Sequence, residues 1–196
     1  MEGTNPVNKK LAAALSGGAV LVLALSGCGG DDSSEKLNSW AKEVCDEVQP
    51  QAKKIEAANT SIQKQTSDNS TPADVQKTDS QAFQDMSDAY KAIGAAVNKA
   101  GAPEVENGEK KKADAVKELN GISTSYADLK KQVDALDTKD QGKFADGLKD
   151  IATELDKLGQ SGNVALNKLQ EGEVGQAMAK QESCKSASGS PSATNG

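Results

Sequence analysis

The sequence predicts an all-α protein, in which an antiparallel up-down-up-down four-helix bundle with a short extra C-terminal helix follows a signal peptide and a flexible tether. Two observations support this fold class. In four long segments, apolar and small residues recur every three or four positions, and capping or breaking residues bound the segments. No segment shows the strict apolar–polar alternation that is typical of a strand.

The first helix is expected to follow a polar spacer at residues 28–34. Asp32 and Glu35 have the spacing of a capping box, so the helix should begin near Ser33. Pro50 interrupts the pattern and is expected to kink the helix, because proline removes one backbone hydrogen bond. We call the row of apolar and small residues along one face of a predicted helix its stripe. In the first helix the stripe consists of Leu37, Ala41, Val44, Val48, Ile55, Ala58 and Ile62.

Three further stripes follow a polar loop at residues 63–71. Threonine, proline and aspartate in residues 71–74 are typical of a helix start, and residues 101–103 are a clear stop. The third segment follows a turn at residues 107–108, and a polar link at residues 137–140 separates it from the fourth. The stripe of the second predicted helix consists of Val75, Asp79, Ala82, Phe83, Met86, Ala89, Tyr90, Ile93, Val97 and Ala100. The stripe of the third consists of Val116, Leu119, Ile122, Tyr126, Leu129, Val133 and Leu136, and that of the fourth of Phe144, Leu148, Ile151, Leu155 and Leu158.

The helical domain is predicted to span residues 35–185, and residues 186–196 are predicted to be a disordered tail. Glycines at residues 159–162 weaken the fourth helix, and a short last segment carries Val174, Met178 and Cys184. From Cys28 onward, Leu, Ile, Val and Phe supply only 25 of 169 residues, a level at which disorder becomes a serious alternative. Matched, heptad-like stripes bounded by caps favour helices with coiled-coil packing instead.

Residues 1–27 are predicted to be a lipoprotein signal peptide. Lys9 and Lys10 form a short positive region, and residues 11–25 are apolar or small. This run of about 15 residues is too short to cross about 30 Å of hydrocarbon, and small residues close it.

Residues 25–28, with the sequence LSGC, match the lipobox of bacterial lipoproteins. The small residues at positions 26 and 27 fit a peptidase site, and the Cys28 thiol is the nucleophile that takes a diacylglycerol. We expect cleavage between Gly27 and Cys28 and stable anchoring by two acyl chains, such as palmitate, in the outer leaflet of the cell membrane. No cofactor is expected beyond this covalent diacylglycerol. The alternative is ordinary cleavage nearby, which would leave a soluble secreted chain.

Cys45 and Cys184 remain as an even pair once Cys28 is assigned to the lipid. Disulfides persist outside the cytoplasm, and both chain ends of an up-down bundle emerge at the same end of the domain. We therefore predict a disulfide between Cys45 and Cys184. The alternative is two buried free thiols.

The composition excludes several functional classes. All 23 basic residues are lysine, and neither arginine nor histidine occurs. Residues 28–196 contain 21 lysines against 28 acidic residues, a difference of −7, so no nucleic acid is expected as a partner. Without histidine and with two methionines after Cys28, no metal site is expected. No catalytic group is evident, and we do not expect an enzyme.

Four side chains are candidates for contact with a partner or a ligand. Trp40 is the only tryptophan, and it is either an exposed partner anchor or a residue packed over the disulfide. Met86, Tyr90 and Tyr126 either line a ligand cavity between helices or belong to the ordinary core, and their heptad positions favour the core.

Five features together resemble the actinobacterial small secreted lipoproteins. They are the lipobox, the spacer, the sequence WAKEVC at residues 40–45, the sequence GAPEVENG at residues 101–108, and the late Cys184. The resemblance implies an extracytoplasmic location and a mainly helical mature part. It implies no catalytic residue.

We therefore expect a non-enzymatic lipoprotein that presents a helical bundle to an envelope or cell-wall partner. The alternative is a carrier that holds a small apolar or lipidic molecule between its helices.

Overall fold

The computed structural model describes residues 29–65, 70–161 and 164–187. The predicted signal peptide and Cys28 lie outside the described residues. Within the described ranges every regular element is a helix, which confirms the all-α class. The helices are α1 Gly29–Gln65, α2 Pro72–Ala100, α3 Gly108–Asp134, α4 Gln141–Ser161, α5 Val164–Leu169, α6 Glu173–Ala179 and α7 Glu182–Ala187.

The start of α2 is the helix start that the sequence predicts, and it forms a capping box. The Asp74 amide donates to Thr71 Oγ1 at 3.2 Å, and the Thr71 amide donates to the Asp74 carboxylate at 3.4 Å. Pro72 occupies the first turn, where its missing N–H costs nothing. The helix ends at Ala100, as predicted, and Gly101 follows with φ of +78°, a conformation that glycine adopts without strain.

The predicted turn between α2 and α3 requires glycine for steric reasons. Asn107 has φ of +58°, and α3 begins at the next residue. A Cβ on Gly108 would lie 2.1 Å from the Pro103 carbonyl oxygen, far inside van der Waals contact. The connection is fixed by a bond from the Val105 amide to that same oxygen at 2.8 Å.

The structure corrects two expectations about α1. This helix begins at Gly29 rather than near Ser33, so residues 29–34, predicted to be a flexible spacer, are helical. Asp32 and Glu35 lie near its N-terminus, where the helix dipole favours negative charge. Pro50 lies inside one continuous helix of 37 residues. It is exposed, so water can solvate the carbonyl that lacks its amide partner.

The long helices α1, α2 and α3 pack side by side, with α2 between the other two. α4 and α5 both pack on α3, and α6 and α7 pack on α1. We call the end that contains Trp40, residues 101–108 and α6 the near end. The opposite end, which contains Gln65, Thr71 and the link between α3 and α4, is the far end.

The core consists of two clusters of buried side chains. The near cluster contains Leu37, Trp40, Ala41, Val44, Val97, Ala115, Leu119, Leu169, Val174 and Ala177. The far cluster contains Ala58, Ala82, Phe83, Met86, Leu129, Val133 and Ile151. A buried polar contact also joins α2 to α3, because Ser87 Oγ donates to the Ser123 carbonyl at 2.8 Å. The alanines among these residues let the helices approach closely.

A disulfide joins Cys45 of α1 to Cys184 of α7 across 139 positions of sequence, which confirms the predicted pair. Two hydrogen bonds support it. Gln181 Nε2 donates to the Asn38 carbonyl at 3.5 Å, and Ser183 Oγ donates to Asp46 at 2.5 Å. Helices as short as α7, with six residues, are not stable in isolation, so these links hold it on α1.

Replacing both cysteines (Cys45→Ala with Cys184→Ala) should lower the free energy of unfolding by several kcal/mol. The chain-entropy model gives about 5 kcal/mol for a loop of this length. Urea unfolding measures the difference. Reductant should bring the wild-type midpoint down to that of the variant and leave the variant unchanged. Equal midpoints in the absence of reductant would contradict a stabilising cross-link.

Candidate functional site

The chemically specific residue of the sequence, Cys28, and its predicted cleavage partner, Gly27, lie outside the described residues. The structure does describe the residues that come next in the chain. α1 begins at Gly29, so the first residue after Cys28 is already helical. A group attached to Cys28 is therefore bonded next to the first turn of the domain's longest helix.

Trp40 is buried in the near cluster and is only 6% exposed. Its indole N–H donates to the Gly101 carbonyl at 2.9 Å, which joins α1 to the residue that ends α2. This bond satisfies the indole donor inside the domain. Trp40 therefore has the environment of a structural residue at the near end, and little of its surface faces solvent for a partner.

Met86, Tyr90 and Tyr126 lie in the packed middle and far parts of the core. Met86 is 2% exposed. The Tyr90 and Tyr126 rings stack with centroids 5.6 Å apart and planes 9° apart, and the Phe83 ring lies 6.2 Å from Tyr126. Burial raises the pKa of Tyr126 to about 12, and the Tyr90 phenol adds to the shift. The two tyrosines therefore contact each other across the interface of α2 and α3, and Tyr126 packs against the far cluster, which contains Met86.

Five notable clefts lie in the described part of the chain, all of them open to solvent. The largest, of about 490 Å³, lies between α1 and α2 at the far end. Its floor contains Ala58 and Ala82, and polar side chains such as Ser61, Lys77 and Gln81 line its walls. The second, of about 460 Å³, lies beside Met178 and Cys184. Neither Tyr90 nor Tyr126 lines any of these five clefts.

Asp79 is the one acidic side chain buried in the described part of the chain. It is 8% exposed, and its Oδ1 atom has no hydrogen-bond partner among the described residues. Burial raises the pKa of this carboxyl to about 6, because a carboxylate there loses its hydration. A lone carboxyl can hold a proton near neutral pH, but general acid–base chemistry also needs a substrate cleft, and Asp79 lines none of the five.

Several surface charges, among them those of the lysine run at the start of α3, have partners within the domain. Lys110 pairs with Asp114 at 2.6 Å, and Lys112 pairs with Glu109 at 2.9 Å. Lys111 donates to the Lys168 carbonyl at 3.1 Å. The lysine run at the start of α3 is therefore engaged within the domain. Among the described residues, no three or more Cys, Asp or Glu side chains form a group that could hold a metal ion.

Comparison of the chain with family models, curated proteins and solved structures found no match. Among the described helices, none is long and apolar enough to cross a membrane.

The sequence pattern places Asp79 on the second stripe but does not mark it as a functional residue. One sequence feature does indicate that Asp79 is buried. The residues one helical turn before and after it, Val75 and Phe83, are both apolar. That register predicts burial. The absence of a partner depends on which side chains α1, α3 and α4 bring nearby, and no local pattern encodes it.

Replacing the buried carboxyl by an amide (Asp79→Asn) should stabilise the domain only at higher pH. Because the folded pKa of about 6 lies above the ordinary value of 3.8, protonated Asp79 costs little below about pH 4. Between about pH 4 and 6 the wild type should lose stability relative to the variant. The difference should reach an order of 3 kcal/mol above pH 6, and urea unfolding from about pH 4 to 8 measures it.

Asp150→Asn is the matched control, since Asp150 is an exposed aspartate on α4. Its effect should stay within about 0.5 kcal/mol at every pH. A constant difference between Asp79→Asn and the wild type across that pH range would contradict the raised pKa, because it would mean that Asp79 has the same pKa in the folded and unfolded states.

Proposed function

We propose that the protein is a non-enzymatic lipoprotein. Cys28 carries a diacylglycerol in the outer leaflet of the cell membrane, and the helical domain is presented to an envelope or cell-wall partner. The observation that carries this proposal is the sequence LSGC at the end of an apolar segment of signal-peptide length. Two acyl chains on one residue provide stable anchoring, which a single chain does not.

We propose that the domain at the end of this anchor is a four-helix bundle in which two shorter helices, α4 and α5, take the place of the fourth helix. α1, α2 and α3 are the first three helices of this bundle. α4 and α5 run along α3 in succession: Gln132 donates to Glu154 at 2.6 Å, and further along α3, Glu118 accepts from the Leu166 amide at 3.3 Å. α4 and α5 together thus serve as the fourth helix of the bundle. α4 ends at Ser161 and α5 begins at Val164, beside the glycines that weaken a helix.

A presenting function agrees with the chemistry of the described residues. The buried acid, Asp79, lines none of the five clefts, and the paired tyrosines stack on each other. The chain lacks the histidine and arginine on which many catalytic and anion-binding sites depend. The exposed far-end groove between α1 and α2 offers polar side chains on a small-residue floor, which suits contact with another macromolecule better than enclosure of an apolar ligand.

Cys28→Ser should abolish lipid attachment and release the protein from the membrane fraction. Labelling cells with a palmitate analogue and fractionating them tests both effects. The matched control is the double variant Cys45→Ala with Cys184→Ala, which loses two thiols but keeps Cys28. It should incorporate label like the wild type. Label on Cys28→Ser would contradict attachment at Cys28, and label on the double variant would show that the other two thiols are not needed for it.

Native mass spectrometry separates the presenting function from the carrier alternative. The Cys28→Ser protein carries no covalent lipid, so any small molecule that it retains is bound between or on its helices. We expect the measured mass to equal that of the polypeptide alone, because the five clefts described above are open to solvent and do not enclose a ligand. A stoichiometric adduct that solvent extraction removes would instead favour a carrier for an apolar or lipidic ligand.

A further inference from the structure

The start of α1 fixes how close the domain lies to whatever Cys28 is attached to. Ser33 and Ser34 line a cleft of about 280 Å³ together with Glu104 and Glu173, so this level of α1 is already beside the near-end loops. Ser33 lies five positions after Cys28 in the chain. At a rise of 1.5 Å per residue, the four helical steps from Gly29, the first residue of α1, to Ser33 span about 6 Å.

The tip of the near end is acidic. It consists of the loop at residues 101–107 and the loop at residues 170–172 with the first residue of α6, and parts of both line a common cleft, which Lys111 borders from α3. These two stretches contain no lysine, and their four exposed carboxylates are Glu104, Glu106, Glu171 and Glu173. Within the described part of the chain, only Glu104 among these four has an ion pair, with Lys36 at 3.1 Å.

The long sides of the described domain offer a bilayer little apolar surface, and many of their lysines are paired. Binding along a side needs an apolar face or a basic face. Val164 is the one strongly exposed large apolar side chain in the described part of the chain. Many lysines on the long helices are paired with carboxylates on the same helix, as in Lys130–Asp134 at 2.6 Å and Lys149–Asp146 at 3.0 Å.

We propose that the anchored domain stands upright on the membrane, with its acidic near end towards the lipid headgroups and its far end pointing outward. This inference rests on the proposed lipid at Cys28. The tip lies within about one Debye length of the surface, so its carboxylates are repelled by anionic headgroups and make no lipid contact. Repulsion of the remaining acidic surface favours the orientation that keeps the most charge away from the bilayer.

The upright orientation places the far end about 55 Å from the anchor, the length of the 37 residues of α1. The far-end groove between α1 and α2 is then among the surfaces most accessible to a partner outside the membrane. A domain lying on its side would bring that groove close to the headgroups instead.

Energy transfer from tryptophan to a fluorescent headgroup label on a lipid distinguishes these orientations. The lipidated chain is reconstituted in phosphatidylcholine vesicles, and a second tryptophan is added at one end or the other. Ala113→Trp places it in the second turn of α3 at the near end, and Ala73→Trp places it in the first turn of α2 at the far end. Both alanines are exposed, so the variants are matched in residue type and burial.

The upright orientation predicts efficient transfer from the tryptophan added at position 113 and almost none from the one at position 73. Equal, strong transfer from both positions would mean that the domain lies flat, and equally weak transfer from both would mean that a flexible leash holds it away. Circular dichroism spectra that match the wild type identify variants that are correctly folded. Each variant keeps every charged residue, and Trp40 contributes the same background to both.

The acidic tip gives a second measurement. Replacing part of the phosphatidylcholine by phosphatidylglycerol at low salt should reduce the transfer from position 113, and added salt should restore it. An increase of transfer with the anionic lipid would overturn the repulsion. A wild-type chain whose mass shows no lipid would overturn the anchor and the orientation together, whereas a lipidated chain with equal transfer overturns the orientation alone.

Discussion

The disulfide between Cys45 and Cys184 is the constraint on which the near half of the structure depends. The segments that close the near cluster, α5 to α7, have only six or seven residues each, too few to remain helical alone. They nevertheless supply Leu169, Val174 and Ala177 to that cluster. The cross-link fastens the last of them to a buried position on α1, and this retains the apolar side chains that precede it.

Local chemistry explains which parts of the fold the sequence predicts well. The start of α2 and the turn before α3 depend on residues within a few positions of each other. Their capping residues and glycines can therefore be recognised in the sequence. The start of α1 at Gly29 has no such local signal, and the continuity of this helix through Pro50 accompanies its packing against α2. Tertiary contacts between α1 and α2 outweigh the cost of one proline inside the helix.

Some features of the candidate site residues can likewise be predicted from the sequence, and others cannot. Counting cysteines predicts the Cys45–Cys184 pair, because assigning one cysteine to the lipid leaves two for a disulfide. Heptad position predicts that Met86 and Tyr126 belong to the core. It does not predict that Trp40 donates to a carbonyl 61 positions away, or that Asp79 has an unpartnered oxygen, because those facts depend on which segments meet in space.

The two ends of the domain therefore differ in how firmly they are held. The near end has a covalent cross-link and the Trp40–Gly101 bond between α1 and α2. Among the described residues, the far end is held by noncovalent contacts, such as the donation from Gln76 Nε2 to the Val133 carbonyl at 2.9 Å, and it buries a carboxyl whose ionisation opposes folding. Local opening is expected where fewer constraints apply, so the far end is the more adaptable one. In the proposed orientation, the rigid end is the base at the membrane and the adaptable end is the surface offered to a partner.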